Sequence, residues 1–311
     1  MTFEEFIREW QSPASEIEAH TSGSTGDPKT IRLDKEFVRA SALRTNSFFG
    51  INSTSRLHSC VAPDFIGGKM MAVRAVEAGC RLTWEKPSNR PLEALGKEET
   101  VDLLAVVPSQ MIHILDNLPV MPEIRAVIIG GSAIDPHLRR KIVASGLNAY
   151  ETYGMTETAS HIALRKIADG VEGFSLLPGI SVALDNRGCL EIMFDSGERV
   201  VTNDLATLLS PTEFRIDGRH DHMILTGGRK VNPFKVEEKL AGLIRFPFVI
   251  TSEPDEKWGS RVVLKIEAPE GMSGLEDLTE KMKRLLDPWE VPKRTILVER
   301  LDYTKNGKLK R

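Results

Sequence analysis

Between residues 101 and 152 short apolar runs recur with room for a helix between them, and this alternation restricts the chain more than any other feature. Val101 to Val107 is a run of strand length stopped by Pro108, and Arg125 to Ile129 is a second that enters Gly130-Gly131. A third, Asn148 to Thr152, leads into Tyr153-Gly154-Met155-Thr156-Glu157. Between the second and third runs the signals of a helix line up: Asp135 as N-cap, Pro136 at the first position, Leu138 and Ile142 four apart, and Gly146 at the exit. Strands that alternate with helices in this way predict an α/β layered domain.

After about Gly173 the texture becomes that of short strands with tight turns. Ser181 to Leu184 and Cys189 to Phe194 flank a turn at Asn186-Arg187-Gly188, which predicts a β-rich subdomain. The Gly-punctuated polar stretch Asp217-Gly218-Arg219-His220-Asp221 marks a boundary, so the reading divides the chain into a domain of residues 1–218 and one of residues 219–311. In the second, Asn232-Pro233 caps a helix carrying Val236 and Leu240, Val262 to Ile266 is a strand, Leu275 to Leu286 a helix, and Arg294 to Val298 a strand, giving a compact α+β unit.

A chain of 311 residues that is 41% hydrophobic and 27% charged can bury a substantial core. Its net charge of -3 gives no electrostatic reason to bind nucleic acid, although Lys305 to Arg311 is locally basic. Cys60, Cys80 and Cys189 are odd in number and far apart, with no CxxC pair, so the spacing indicates neither a disulfide framework nor a zinc site and predicts reduced, buried thiols. The N-terminus is acidic where a signal peptide is basic, and no apolar run is long enough to span a membrane. The expectation is a cytoplasmic protein with no membrane partner.

The segment Thr21-Ser22-Gly23-Ser24-Thr25-Gly26-Asp27-Pro28-Lys29 sets four small hydroxyl residues among glycines ahead of a lysine. Backbone amides and hydroxyls there can wrap an anion closely while lysine supplies charge, which suits a polyphosphate. It is not a Walker A loop, because Asp27-Pro28 follows Gly26 where Gly-Lys-Ser/Thr would be required. By composition alone the same segment also reads as a flexible Ser/Gly linker.

Thr21 to Lys29 resembles the phosphate-binding signature of the acyl-CoA synthetase, peptide-synthetase adenylation domain and luciferase superfamily, and further signatures of that family follow in their usual order. Tyr153 to Glu157 resembles its Tyr-Gly-x-Thr-Glu segment, Val201-Thr202-Asn203-Asp204-Leu205 its ribose segment, and Gly218-Arg219-His220-Asp221 its hinge. Lys305-Asn306-Gly307-Lys308 resembles the segment of its C-terminal catalytic lysine. The resemblance covers residue 20 to the end. It implies attack of a carboxylate on the α-phosphorus of ATP, giving an acyl-adenylate, followed by transfer to CoA. The residues from 219 onward would then be a lid domain turning at Asp221.

Carried onto this chain, the resemblance assigns the polyphosphate to Thr21, Ser22, Gly23, Ser24, Thr25, Gly26 and Lys29. It gives the α-phosphate to Thr156, magnesium to Glu157, and the bridge between carboxylate and phosphate to Lys308. Gly130, Gly131, Ser132 and Tyr153 would surround adenine, and Asp204 and Arg219 would meet the ribose. Asn203 stands where the family usually has glycine, and asparagine tolerates the left-handed backbone such a turn needs. Thr226-Gly227-Gly228-Arg229-Lys230 would line a pantetheine tunnel, with Arg229 or Lys230 meeting CoA phosphates.

Pro63 to Lys69 resembles the family's Pro-x-Phe-His-x-x-Gly region but lacks the histidine after Phe65. Lys69 would pair with a second carboxylate on the substrate, and Ser132 and His161 would line the acyl pocket. Family members carry a large subdomain ahead of the phosphate loop, where this chain has 20 residues. Phe3, Phe6, Ile7 and Trp10 at helical spacing suggest a short enzyme that begins naturally at Met1, its open surface left bare or covered by a homodimer. In its shortness and in the run Tyr153 to Leu164 the chain resembles short bacterial o-succinylbenzoate:CoA ligases, which implies o-succinylbenzoate as the acid and menaquinone synthesis as the setting. A ligase or adenylation-only enzyme for another acid, and a degenerate nucleotide-binding protein, are the alternatives.

Overall fold

The computed structural model describes residues 1–20, 29–268 and 275–302, and divides into two compact units. The first comprises residues 1–182, 192–200 and 209–214; the second comprises 183–191, 201–208 and 215–311. The long run of the second unit thus begins at residue 215, just ahead of the expected boundary, and it also takes in two hairpin segments.

The first unit is built on a sheet in which Arg81–Trp84, Arg56–Ser59, Leu103–Val106, Val127–Ile129 and Ala149–Met155 lie side by side and parallel. Ser160–Lys166 and Phe174–Leu176 continue it antiparallel. The central strands are buried along their whole length because both faces are covered. Leu104, Val106, Val127 and Ile129 pack with Met111, Ile114, Leu138 and Ile142 of the helices Pro108–Asn117 and Pro136–Ser145. The alternate residues Leu103, Ala105 and Ile128 turn the other way, against Met71 and Ala75 of the helix Ile66–Ala78.

Local signals set these elements. Asp135 Oδ1 accepts the backbone N–H groups of His137 and Leu138 at 2.9 and 3.0 Å, and Gly146 ends the helix at φ 72°. The run expected from Val101 to Val107 is divided at Asp102, whose carboxylate accepts the Arg56 amide at 2.7 Å and an Arg125 N–H at 2.8 Å. The N-terminal helix, Phe3–Gln11, buries Phe3, Phe6 and Trp10. Its last carbonyls, orphaned as at any helix end, are taken by the buried Lys35 ammonium, which donates to Glu9, Trp10 and Ser12 oxygens at 2.8 to 2.9 Å.

In the second unit, Phe248–Asp255 and Gly259–Glu267 pair antiparallel and Arg294–Val298 joins the latter in parallel. Val236 and Leu240 of Pro233–Leu240, with Leu278 and Met282 of Leu275–Leu285, close a core with Ile250, Leu264 and Ile266. The strand Phe248–Asp255 was not expected. Its Pro254 sits near the end of the ladder, opposite Ser260. The hairpin expected around residues 186–188 forms, with Asp185 Oδ1 accepting the amides of Arg187 and Cys189 and Gly188 at φ 77°. No helix among the described residues is long and apolar enough to cross a membrane.

Candidate active site

Parallel strands deliver their C-terminal ends to one edge, where α/β proteins bind their ligands. At that edge Val127–Ile129 opens into Gly130-Gly131-Ser132 beside Thr152 on the neighbouring strand. A Cβ on Gly130 would stand 2.7 Å from Thr152 Oγ1, and Gly131 takes φ 91°, so these two backbones approach as no bulkier residues could. The half-buried Ser132 follows. Tyr153 packs its ring on Phe174 and Phe214, with centroids 5.7 and 5.2 Å away.

Beyond Met155 the chain makes a single tight turn, Thr156–Thr158, then passes through Ala159 and Ser160 at φ 49° and 85°. Two consecutive non-glycine residues with positive φ are strained and persist only where their surroundings hold them. Here Thr158 Oγ1 accepts the Met155 amide at 2.9 Å and reaches the Ser160 carbonyl at 2.6 Å, while Ser41 Oγ donates to the Ala159 carbonyl at 2.8 Å. Gly154 lets the strand return this closely, since a Cβ there would run into the Ser160 carbonyl. The turn leaves Thr156 buried and Glu157 exposed, with no hydrogen bond or ion pair to Glu157 among the described residues. An exposed carboxylate of this kind fits a hard cation shared with phosphate oxygens.

His161 is buried, its Nε2 3.0 Å from Thr45 Oγ1 and its Nδ1 3.5 Å from Arg74 Nη2. Burial first, then the Arg74 charge, pushes its pKa well below the usual histidine range. Arg74 itself, on the helix Ile66–Ala78, was not anticipated. It is 1% exposed, reaches Ser160 Oγ at 3.4 Å and Met71 Sδ at 3.6 Å, and its Nε has no partner. Among the described residues it meets no carboxylate, and burial pushes its pKa down to about 9. The signal was present in the sequence: Arg74 is the lone charge within Met70 to Val76.

Lys69, on the same helix, goes elsewhere. Its ammonium lies 4.2 Å from the Phe6 ring centroid and 3.1 Å from Met1 Sδ, closed beneath the N-terminal helix at 1% exposure. The expectation of a lysine free to meet a substrate carboxylate is corrected by that placement, because the N-terminal helix covers it.

Thr21 to Gly26 and Lys308 lie outside the described residues. The flanks of the phosphate segment are described: Glu16–His20 and Thr30–Asp34 pair antiparallel with His20 opposite Thr30, so the segment connects a hairpin, and the exposed Lys29 stands at its end.

Within the second unit, Asp204 is buried on the strand Arg199–Ser210 and receives Arg219 Nη1 at 3.1 Å. Arg219 also forks onto Asp221, Nε at 2.9 Å and Nη2 at 2.6 Å, which holds the Asp221 carboxyl below its usual range. Asn203 does not form the left-handed turn expected of it. It is extended within the strand, and its Oδ1 accepts from Arg187 Nη1 at 2.9 Å. Gly227 and Gly228, at φ 54° and 76°, turn the hairpin of Ile224–Thr226 and Arg229–Val231. Arg229 lays its guanidinium over Trp289 at 4.3 Å, whereas Lys230 is exposed.

A parallel sheet with a glycine-lined edge beside a turn that presents Thr156 and Glu157 is an α/β arrangement able to bind a ligand at its strand ends. The profile of AMP-binding enzymes matches residues 19–187, and the chain belongs to that family, as an adenylate-forming acid–thiol ligase. It is 26% identical to the 2-succinylbenzoate–CoA ligase of Listeria monocytogenes, over 99% of this chain and 71% of that one. It is 32% identical to an acyl-CoA synthetase (AMP-forming)/AMP-acid ligase II-like protein from Dyadobacter fermentans, whose crystal structure it matches over 99% of this chain and 91% of the other with a TM-score of 0.64. The o-succinylbenzoate CoA synthetase of Bacillus subtilis, solved with ATP and magnesium, shares its fold at 20% identity and a TM-score of 0.78, over 94% of this chain and 68% of that one.

Proposed function

We propose that the chain activates o-succinylbenzoate, a dicarboxylic acid, with ATP in the cytoplasm and passes the acyl group to CoA. The observation that carries the choice of acid is Arg74. An isolated buried guanidinium costs roughly several kcal/mol, and a bidentate carboxylate is the partner that most fully offsets it. The second carboxylate of the substrate supplies that partner once Ser160 and His161, which lie against the 1%-exposed guanidinium, move aside, while the first attacks the α-phosphorus. The names borne by the relatives at about a quarter identity support the same acid.

Adenylation asks the protein to neutralise phosphate charge and align two reactants, with little covalent work. In this reading Thr21 to Gly26 and Lys29 cradle the polyphosphate, and Thr156 donates to the α-phosphate. Gly130, Gly131, Ser132 and Tyr153 bound the adenine, and Asp204 accepts from the ribose hydroxyls with Arg219 steadying it. Glu157 would hold magnesium, which supplies positive charge to the phosphates when bound. Lys308 bridges carboxylate and phosphate in the first half-reaction. Asp221 absorbs the backbone change of the turn between half-reactions, and Gly228 with Lys230 receives CoA.

The test is an ATP- and CoA-dependent screen of carboxylic acids read by thioester mass. The expected result is o-succinylbenzoyl-CoA as the dominant product, and thioesters of monocarboxylic acids formed equally well would reject the dicarboxylate reading. Lys308→Ala should abolish acyl-adenylate formation yet leave thioester formation from supplied acyl-adenylate largely intact; equal loss of both would reject the role of Lys308.

A further inference from the structure

One polar cluster in the first unit takes no part in the reading above. His58, on Arg56–Ser59, and Cys60, two residues on, share a face of the sheet edge. The parallel neighbour Arg81–Trp84 pairs Thr83 with His58 and Trp84 with Ser59, which brings Glu85 alongside, its amide donating to the Ser59 carbonyl at 3.3 Å. A nitrogen of His58, the Cys60 sulfur and a Glu85 oxygen all lie within 4.8 Å of one another. His58 and Cys60 are each 1% exposed and the Glu85 side chain 12%. The spacing of the cysteines gave no hint of this, because the set uses one cysteine and draws its other members from two strands.

Thr83 Oγ1 lies 2.8 Å from His58 Nδ1 and 3.3 Å from the Leu57 carbonyl, and its one proton serves either of them. When that proton goes to Leu57, Nδ1 carries the imidazole hydrogen and Nε2 presents a bare lone pair, the form that binds a metal. Among the described residues that Nε2 is buried without a hydrogen-bond partner and faces Glu85 Oε2 at 3.9 Å, while the Cys60 thiol interacts with the same carboxylate. With Nε2 bare, a cation in place of the thiol proton would satisfy all three groups.

We infer that His58 Nε2, Cys60 Sγ and a Glu85 carboxylate oxygen bind one zinc ion. Nitrogen, sulfur and oxygen donors together suit this borderline dication and not magnesium or calcium, which take oxygen alone. On binding, the Cys60 S–H bond breaks, its proton leaves to solvent and the sulfur pair forms the bond to zinc. Thiolate and carboxylate then balance the two positive charges, so the buried site is neutral. The Nδ1–H to Thr83 bond is the outer contact that orients a metal-binding imidazole.

The ion would staple more than two strands. Glu85 Oε1 also accepts the amide of Leu92, a buried residue at φ 70°, and Gln110 Nε2 donates to the carbonyls of Cys60 and Ser88 at 3.0 Å each. Zinc would therefore tie the strand edge to the segment of residues 85–92 folded over it.

The untagged protein, stripped with a chelator and kept in excess magnesium to saturate oxygen sites, would be titrated with zinc against a chromophoric competitor while a pH indicator follows protons. One zinc per chain and one proton released are expected, and cobalt in its place should give a thiolate-to-metal charge-transfer band. Cys60→Ser should remove that band and weaken zinc about 100-fold or more, with Cys80→Ser and Cys189→Ser unchanged. Wild-type protein that holds no stoichiometric zinc, or shows no thiolate band with cobalt, would overturn the inference without any variant; so would a band that survives in Cys60→Ser.

Discussion

Arg74 and His58 lie in the same unit, are each 1% exposed, and each keeps a ring or guanidinium nitrogen without a hydrogen-bond partner among the described residues. They differ in kind: Arg74 meets no carboxylate among the described residues, whereas His58 faces Glu85 at 3.9 Å with Cys60 beside it. Glu151 shows what a buried charge with an ion-pair partner from its own chain looks like here. It is 5% exposed, and its carboxylate takes Arg165 at 2.5 and 3.2 Å with Arg139 at 3.7 Å. Buried polar groups in folded proteins are overwhelmingly satisfied, but Arg139 Nη1, 3.7 Å from Glu151, also lacks a hydrogen bond among the described residues, so an open nitrogen alone does not mark a site. What sets Glu151 apart is its close ion pair with Arg165, which has no counterpart at Arg74 among the described residues.

The comparison can be broken from either side. Glu151→Gln removes the anion from that ion pair and should cost about 3 kcal/mol of stability, measured by urea unfolding; a neutral effect would end its use as the reference case. Arg74→Met should do the reverse. It replaces an unpaired buried charge by an apolar side chain of similar length, and the unliganded protein should gain about 1 to 4 kcal/mol, whereas a loss of stability would mean that Arg74 holds the fold together. Thr83→Val should weaken zinc about 10- to 100-fold by removing the acceptor that fixes the imidazole, and an unchanged affinity would detach the tautomer argument from the metal.

The smallest effect concerns pH. Burial lowers the Arg74 pKa to about 9 in the folded chain, well below the ordinary arginine range, so between the two the unfolded chain binds the extra proton. Stability from this group therefore rises as pH climbs through 9. Recognition of a carboxylate needs the charged form, so kcat/KM for a dicarboxylate should fall above pH 9, to about a tenth by pH 10, while benzoate should show no such limb. Parallel profiles for the two acids would remove Arg74 from acid selection.

Where local chemistry decides, the sequence is legible. The cap at Asp135, the exit at Gly146, the turn at Gly188 and the apolar stripe of the N-terminal helix all form as their residues dictate. Where two distant elements meet, it is not. Lys69 and Arg74 read alike as charged residues on one helix, and only the packing of Phe6 and Met1 over one and of Ser160 and His161 beside the other separates them. Asn203 reads as a turn residue because its own preference allows one, yet it sits extended in a strand with Arg187 on its side chain. His58 and Glu85 stand 27 positions apart in the chain, and strand pairing rather than spacing brings them together.

The proposed pairing of Arg74 with the second carboxylate of the acid is tested most directly by kcat/KM for o-succinylbenzoate and for benzoate in wild type and in Arg74→Met, with CoA thioester as the readout. Loss of a charge-assisted hydrogen-bonded pair is worth about 1.5 to 3 kcal/mol, so the variant should lose roughly 10- to 150-fold on o-succinylbenzoate. Its rate on benzoate should stay close to wild type. An equal fall on both acids, or no fall on o-succinylbenzoate, would rule out that pairing.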